Sequence, residues 1–463
     1  MDLLSWLMYL VSYMILFQAL LAITRKLGRR AKLPPGPPPI PIFGNLFQLG
    51  DNPHKSLAKL ASVHGDIMTL KLGQITTIVF SSATMAEEIL QKHDAVSCNR
   101  TVPDAIRALR HHEVGLPWMP VSTTWRNHRK ICKLHIFASH RLDANQYLRR
   151  TKVEQLLADV RHSSRVGEAV EIRQGILEEL RKPNFGDYFP IANLDLQGNR
   201  RRMTIHLRKI MDLFDNVIDE RVELRRMSEY VSTNDLLDTL LQLSQENNQE
   251  LDKNQIKHLI LVVLFTAATE TTTSTIEWAM AELLHNPQAL LEARRELKKI
   301  IGKGNLVEES NVTCLPYLQA IVKETLRLHP PAPFLIPRKA EADIEVHNFV
   351  VPKGAQVFIN AWVIGRDPNF WEEPDLFRPE RFIRSEMDVK GKDFGLIPFG
   401  GGRRICPGLP LAMRMLHSML GTLIHSFDWE LEDGVAPENL NMDEKFHFVL
   451  QKAKPLRAIP HSI

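Results

Sequence analysis

The chain has 463 residues, of which 44% are hydrophobic and 24% charged, an ordinary balance for a globular protein with a large core. A formal net charge of +4 is too mild to indicate nucleic-acid binding, and four cysteines without paired spacing argue against a disulfide framework. Length alone allows about three domains, but there is no internal repeat and no linker that would split the chain.

Leu3 to Ile23 is apolar apart from Ser5, Ser12 and Gln18, long enough to span a hydrocarbon core. Arg25, Lys26, Arg29, Arg30 and Lys32 follow it. The positive-inside rule keeps that basic flank cytosolic and points the N-terminus to the lumen. In a cleaved signal peptide the basic residues precede the apolar run, so residues 1–32 are expected to be an uncleaved anchor. Leu33 to Pro41 carries Pro34, Pro35, Pro37, Pro38, Pro39 and Pro41, and so is stiff and extended. Placed behind an anchor, it is expected to act as a hinge, with residues 42–463 as the catalytic domain.

Asp66–Leu72 and Ile75–Phe80 are β-rich on either side of Gly73-Gln74 and predict a hairpin. Ala83 to His93 predicts a helix, and Val102 to Val121 a loop over a pocket. Ser122 or Thr123 can cap a helix through Trp125 and Arg129. From there to residue 330 the chain is expected to be mostly helical, with Gln255–Leu284 as one long buried central helix. Residues 331–400 predict short strands, Leu409–Ser426 a final apolar helix, and the tail strands and turns. The fold class is mainly α with minor β.

The most informative run is Pro398-Phe399-Gly400-Gly401-Gly402-Arg403-Arg404-Ile405-Cys406-Pro407-Gly408. It fits Phe-x-x-Gly-x-Arg-x-Cys-x-Gly at every fixed position, a match expected by chance on the order of once in ten thousand chains of this length. Cys98, Cys132 and Cys314 have no such surroundings and are expected to be small core residues. On this run the chain resembles the cytochrome P-450 (haem-thiolate) monooxygenases, and the resemblance extends from anchor to tail. It implies the cytochrome P-450 fold, haem b as cofactor and Cys406 as its axial thiolate, a strong donor that favours O–O cleavage over oxygen carriage. It also implies a haem cradle that includes Phe399, Gly402 and Arg404, with the planar Arg404 fork suited to a propionate.

Further motifs carry the same resemblance. Trp125-Arg126-Asn127-His128-Arg129 is similar to the family's Trp-x-x-x-Arg helix, which implies propionate contacts from Trp125 and Arg129. Arg338 is a further propionate candidate, or else a solvated strand-end arginine. Glu324-Thr325-Leu326-Arg327 matches Glu-x-x-Arg, and Arg381 in Pro379-Glu380-Arg381-Phe382 is the implied third member of a buried triad. Glu223/Arg226 and Glu292/Arg295 share the spacing but are expected on solvated helix faces. Ala267-Ala268-Thr269-Glu270-Thr271-Thr272 is similar to the oxygen-activation motif, which implies proton delivery by Thr271 and Glu270. The alternative is a threonine-rich helix with hydroxyls bonded to the i−4 carbonyls. Ala268 stands where the family has glycine.

The phrases Val114 to Pro120, Cys406 to Ala412 and His425 to Leu431 resemble the plant monoterpenoid-oxidising subfamily that includes geraniol 8-hydroxylases. The resemblance then implies an NADPH-dependent enzyme of the endoplasmic reticulum membrane that hydroxylates a small apolar substrate such as a monoterpenoid alcohol. Its pocket would lie near Phe265, Phe334, Leu335, His447 and Phe448, residues that equally suit an ordinary core. Its electrons would come from NADPH-cytochrome P-450 reductase, steered by Arg126, Lys130 and Lys133. One region departs from the family: between about 172 and 182 the chain lacks roughly two helices, about 25–40 residues. A truncated or alternatively spliced product that binds haem poorly or not at all is therefore a second expectation. A haem-thiolate isomerase or dehydratase is a third, which the retained Thr271 and Glu270 disfavour.

Overall fold

The computed structural model describes residues 12–13, 33–172, 188, 195, 197–227, 229–233, 235–246, 251–262, 267–302 and 304–463. Nearly all of the expected anchor and its basic flank lie outside the described residues, as do Lys182-Pro183-Asn184 and Phe265. Among the described residues no helix is long and apolar enough to cross a membrane.

Helices of eight residues or more are numbered α1 to α10, and strands β1 to β12. In chain order, α1 is Pro53–His64, β1 Ile67–Leu72, β2 Ile75–Phe80, β3 Asn99–Arg100, α2 Thr123–Ile131, α3 Gln146–Val166, β4 Val170–Glu171 and α4 Asn199–Arg226. Then come α5 Leu236–Glu246, α6 Lys253–Ile260, α7 Ala268–His285, α8 Pro287–Ile301 and α9 Pro316–Leu328. The C-terminal part holds β5 Arg338–Lys339, β6 Ile344–Val346, β7 Phe349–Val351, β8 Gln356–Ile359, α10 Leu409–Ser426, β9 Phe427–Leu431, β10 Glu444–Lys445, β11 Gln451–Lys452 and β12 Arg457–Ser462. The chain is mainly helical with minor sheet, as its residue pattern indicates.

Helix boundaries follow local chemistry. Proline opens α1, α8 and α9, where its missing N–H has no intrahelical partner to lose. Ser122, not Thr123, caps α2, its side chain accepting from the Trp125 N–H at 3.1 Å. The expected hairpin is observed, with Leu72 opposite Ile75 and Ile67 opposite Phe80. It continues into a five-stranded sheet ordered β1-β2-β8-β5-β3, in which β2 and β8 run parallel.

Two expectations need correction. The proline run is no free hinge: Thr69 donates its N–H to Pro35 O at 2.8 Å and its hydroxyl to Pro34 O at 2.8 Å. Gly36 passes so close that an added Cβ would stand 1.9 Å from the Thr69 carbonyl oxygen, so the run is strapped onto β1. The expected loop at 102–121 contains 3₁₀ turns within Asp104–Arg110, broken by a kink at Ala108 and Leu109, and a helical turn, His111–Val114. Its mixed hydrophobic pattern hid both because neither is long enough to show a period.

The main core joins α7, α8, α9 and α10 with residues of α3, β9 and β12. Leu283, Ala293, Leu318, Ile321 and Ile424 are fully covered within it. A second core sets α4, α5 and α6 against α2. The expected central helix, 255–284, is seen as α6 and α7, and residues 263–266 between them lie outside the described residues. Past α6, Ala267 donates to Val262 O at 3.1 Å, an i→i−5 bond, before α7 begins. Wide turns of this kind cluster at functional sites.

Candidate active site

The cysteine loop leads into α10. The Cys406 N–H donates to Phe399 O at 3.0 Å, closing the loop on itself. Gly400 and Gly402 have φ of +72° and +65°, a region that favours glycine. At Gly402 a Cβ would also meet Leu90 O at 2.2 Å and Asp94 Oδ1 at 2.7 Å, so the loop is clamped from below by the 88–94 turn. Burial pushes the Cys406 thiol up, while the Gly408 N–H, the charge of Arg129 and the Leu409 N–H act in the opposite direction. Those donors are the ones a thiolate at this place needs.

Arg100, Arg129, Arg338, Arg404 and Trp125 gather beside the loop. Arg404 is buried and donates to the carbonyls of Cys98, Leu116 and Met119 at 2.8, 3.2 and 2.6 Å. Its guanidinium lies 4.6 Å from the centre of the Trp125 ring, and that of Arg129 5.8 Å. Burial and the like charges of Arg338 and Arg129 pull Arg404 down to about 10. Burial, with Arg338 and Arg404, holds Arg100 well below the usual arginine range. Arg338 donates to Asp94 at 2.7 Å and to Gly401 O at 2.9 Å. It is therefore no solvated strand end but an anchor of the cysteine loop, and Asp94 also accepts the Arg403 N–H at 2.9 Å.

This cluster fits an iron porphyrin. Positive charge is buried in excess of the single carboxylate, Asp94, that pairs with it here, and two propionates would balance it. The Trp125 Nε1 and Arg100 Nε donors are buried without an acceptor among the described residues. Arg404 uses three of its five N–H donors on carbonyls and keeps two. Sequence reasoning missed Arg100. Nothing local marks it; only its pairing through β3 with Arg338 on β5 brings it to the site.

Thr271 and Glu270 stand at the start of α7 and face different partners. The Thr271 hydroxyl donates to Ala267 O at 2.6 Å, and Thr273 and Thr275 bond back to Thr269 O and Thr271 O. The i−4 bonding that the sequence offered as the alternative is thus present. At Thr271 it falls on the carbonyl beside the wide turn. Glu270 is buried and accepts from Gln451 Nε2 at 3.1 Å.

The remaining assignments divide. Arg381 Nε donates to Glu324 at 2.9 Å, completing the triad with Arg327. Glu223/Arg226 and Glu292/Arg295 are ion pairs on exposed faces. Cys98 and Cys132 are buried, but Cys314 is exposed in a 3₁₀ turn. Phe334 is a core residue, stacked on Phe358 at 5.2 Å and packed with Leu57, Met68 and Val79. Leu335 has φ of +55°, a strained value for leucine, and its tip borders Gly400. His447 is half-buried and Phe448 exposed at the tip of the β10–β11 hairpin. Arg126, Arg129, Lys130, Lys133 and Lys390 also line a cleft of about 660 Å³ that reaches Cys406.

A lone loop thiol beside arginines that seek carboxylates defines a haem-thiolate protein. The chain matches the Cytochrome P450 family over residues 34–176 and 159–458, and it belongs to that family. It is 47% identical to a geraniol 8-hydroxylase of Catharanthus roseus, over all of both chains, and 47% identical to one of Swertia mussotii, over 96% of each. It is also 47% identical to a drimenol monooxygenase of Persicaria hydropiper, over 94% of this chain and 93% of the other. The protein is thus a geraniol 8-hydroxylase-like member of the family, a monooxygenase and oxidoreductase that uses haem ligated by a cysteine thiolate. NADPH dependence is general in such systems.

Proposed function

We propose that this protein hydroxylates a small apolar substrate, a monoterpenoid alcohol such as geraniol, with electrons passed from NADPH-cytochrome P-450 reductase. The Cys406 loop with its cage of arginines carries the reading. The names of the two geraniol 8-hydroxylases support the substrate. When bound, haem supplies the oxygen chemistry that no side chain can perform. The chain's own residues do the rest. Trp125, Arg100, Arg129 and Arg404 would hold the cofactor through its carboxylates. Gly402 and Phe399 shape the loop that presents Cys406. Thr271 Oγ1 and the Glu270 carboxylate hold and pass protons. The basic rim formed by Arg126, Lys130 and Lys133 attracts an acidic electron donor. Leu3 to Ile23 with its basic flank anchors the enzyme in the endoplasmic reticulum membrane, with the catalytic domain in the cytosol.

The test is a carbon-monoxide difference spectrum of the reduced protein, followed by NADPH-driven turnover of geraniol with the reductase. A red-shifted Soret band and a hydroxylated product are expected. Cys406→Ser abolishes both; a retained red-shifted band in that variant rejects the ligand assignment. Alkaline carbonate extraction tests the anchor, which fails if the full chain moves to the soluble fraction.

A second reading, a catalytically impaired product, has its own support. The alignment with the Catharanthus relative runs over 499 positions against 463 residues here, and the family match breaks into two stretches at 159–176. Both agree with a segment shortened near 172–182. Against this reading, residues 274–284 of α7 are all buried by the elements present. Expression beside a version carrying a family-length insert separates the two readings. Lower haem content, thermal midpoint and turnover in the natural chain support impairment; equal values on all three reject it.

A further inference from the structure

The Glu270 carboxylate is bonded across the molecule. Gln451, at the start of β11, donates from Nε2 to Glu270 Oε2 at 3.1 Å, and both side chains are at least 95% buried. Two more bonds run along the same face of α7. Ser274 Oγ donates to Leu450 O at 2.7 Å, and the Leu456 N–H donates to Glu277 Oε1 at 2.9 Å. Positions 270, 274 and 277 are spaced i, i+4 and i+7, which places them in one row on the helix. Leu450 is itself fixed by its N–H, which donates to Pro331 O at 2.8 Å. The C-terminal hairpin is therefore sewn to α7, and the bond nearest the wide turn is the one to the acid.

The lower two bonds tie the backbone at Leu450 and Leu456, on either side of β11, to α7. The upper one adds something different. A buried amide that donates to one carboxylate oxygen fixes the plane of the carboxyl group and hence the direction of the other oxygen. An apolar side chain of the same length would fill the space without setting that direction.

We infer that Gln451 is a positioning residue for the reaction, one that fixes the Glu270 carboxylate in the orientation from which protons pass toward Thr271. The inference rests on the proposed role of Glu270 and Thr271 in proton delivery. It also assigns the β10–β11 hairpin a part in catalysis: the strand that carries Gln451 begins three residues after Phe448.

The experiment uses the full haem-loaded chain in four forms: unaltered, Gln451→Met, Glu270→Gln, and the double variant. Methionine keeps the length of glutamine and removes the donor; Gln451→Leu serves as a second replacement if the first loses haem. Three quantities are read: peroxide released per NADPH during geraniol turnover, the pH profile of that ratio, and the infrared C–O stretch of the carbon-monoxide-bound reduced protein. The last reports distal polarity whether or not the chain turns over. Gln451→Met is expected to keep its haem content, raise the peroxide fraction about tenfold and move the C–O stretch, in line with the size of proton-transfer effects. The double variant is expected to equal Glu270→Gln alone, because two residues acting through one carboxylate do not add. If Glu270→Gln changes these quantities and Gln451→Met changes none, the inference falls and the relay reading stands. Additive losses in the double variant also overturn it, since Gln451 then acts elsewhere. If Glu270→Gln has no effect, the relay reading itself fails and takes the inference with it.

Discussion

Glu324 and Arg327, one turn apart on α9, are both fully buried and share two hydrogen bonds, Nε to Oε2 at 2.7 Å and Nη2 to Oε1 at 2.8 Å. The outer edge of Arg327 is used as well, donating to Gly365 O, Pro374 O and Leu376 O. Arg381 then shares Glu324 Oε1. One carboxylate and two guanidiniums thus pin α9 to the 365–381 segment.

Glu324→Gln is expected to destabilise the fold by about 3–5 kcal/mol, because two buried guanidiniums lose their countercharge. Arg327→Lys should do nearly as badly, since a single ammonium cannot reproduce the fork. Glu292→Gln, with the same spacing on an exposed face, should change stability by less than about 0.5 kcal/mol. Thermal midpoints of the three variants check the contrast, and equal shifts contradict it.

Glu444 supplies a pH prediction. It bonds to His54 Nε2 at 3.0 Å and to Trp362 Nε1 at 3.0 Å, and it lies 3.4 Å from His329 Nδ1. Burial alone would raise its carboxyl, but the neighbouring His329, the bond with His54 and the Arg366 charge carry it well below the carboxylate range. A carboxyl lowered on folding contributes stability that is full above its unfolded value, about 4.3, and is lost as pH falls below it. The thermal midpoint should therefore drop on acidification below about pH 5. Glu444→Gln should be less stable at neutral pH and show a flatter acid limb. An unchanged limb would remove Glu444 from the account.

The arginine cage predicts graded haem loss. Trp125→Phe keeps the ring for Arg404 and Arg129 to lie over but removes the unpartnered Nε1 donor. It should weaken haem retention by about 1.5–3 kcal/mol, the worth of one hydrogen bond to a charged group. Arg404→Gln should do more harm, since it also frees the Cys98, Leu116 and Met119 carbonyls. Haem-to-protein ratios after dialysis against apomyoglobin give the order; tighter retention in Arg404→Gln than in Trp125→Phe contradicts it.

Thr271→Ala removes a hydroxyl that donates to the carbonyl of Ala267, the residue just ahead of α7. The fold should keep its stability within about 0.5 kcal/mol, as expected of a substitution away from core packing. The share of NADPH electrons lost to peroxide should rise about tenfold or more. Unchanged coupling would leave the hydroxyl a purely local role.

Much of the site was legible because it depends on short-range patterns. The cysteine loop demands glycines where the backbone takes positive φ and where a Cβ would strike Leu90, so it left a dense motif. The Glu324–Arg327 pair was visible as an i, i+3 spacing. Its burial was visible only through the family's downstream arginine, since Glu292 and Arg295 have the same spacing and are exposed. Arg338 was half legible: its candidacy could be stated, but its bonds to Asp94 and Gly401 depend on a pairing 244 positions apart.

The amino-acid sequence by itself marked the hairpin around Gly73, the cap at the start of α2, the final apolar helix and the cysteine loop, because each arises from backbone sterics or spacing within a dozen or so residues. Tertiary structure decided what those pieces touch. It strapped the proline run to β1, placed Phe334 in the core, added Arg100 to the cofactor cage and joined Glu270 to Gln451 across 181 positions. Such contacts arise where distant segments bury polar groups together. There a donor must find its acceptor wherever the packing brings one, and no local pattern records the choice.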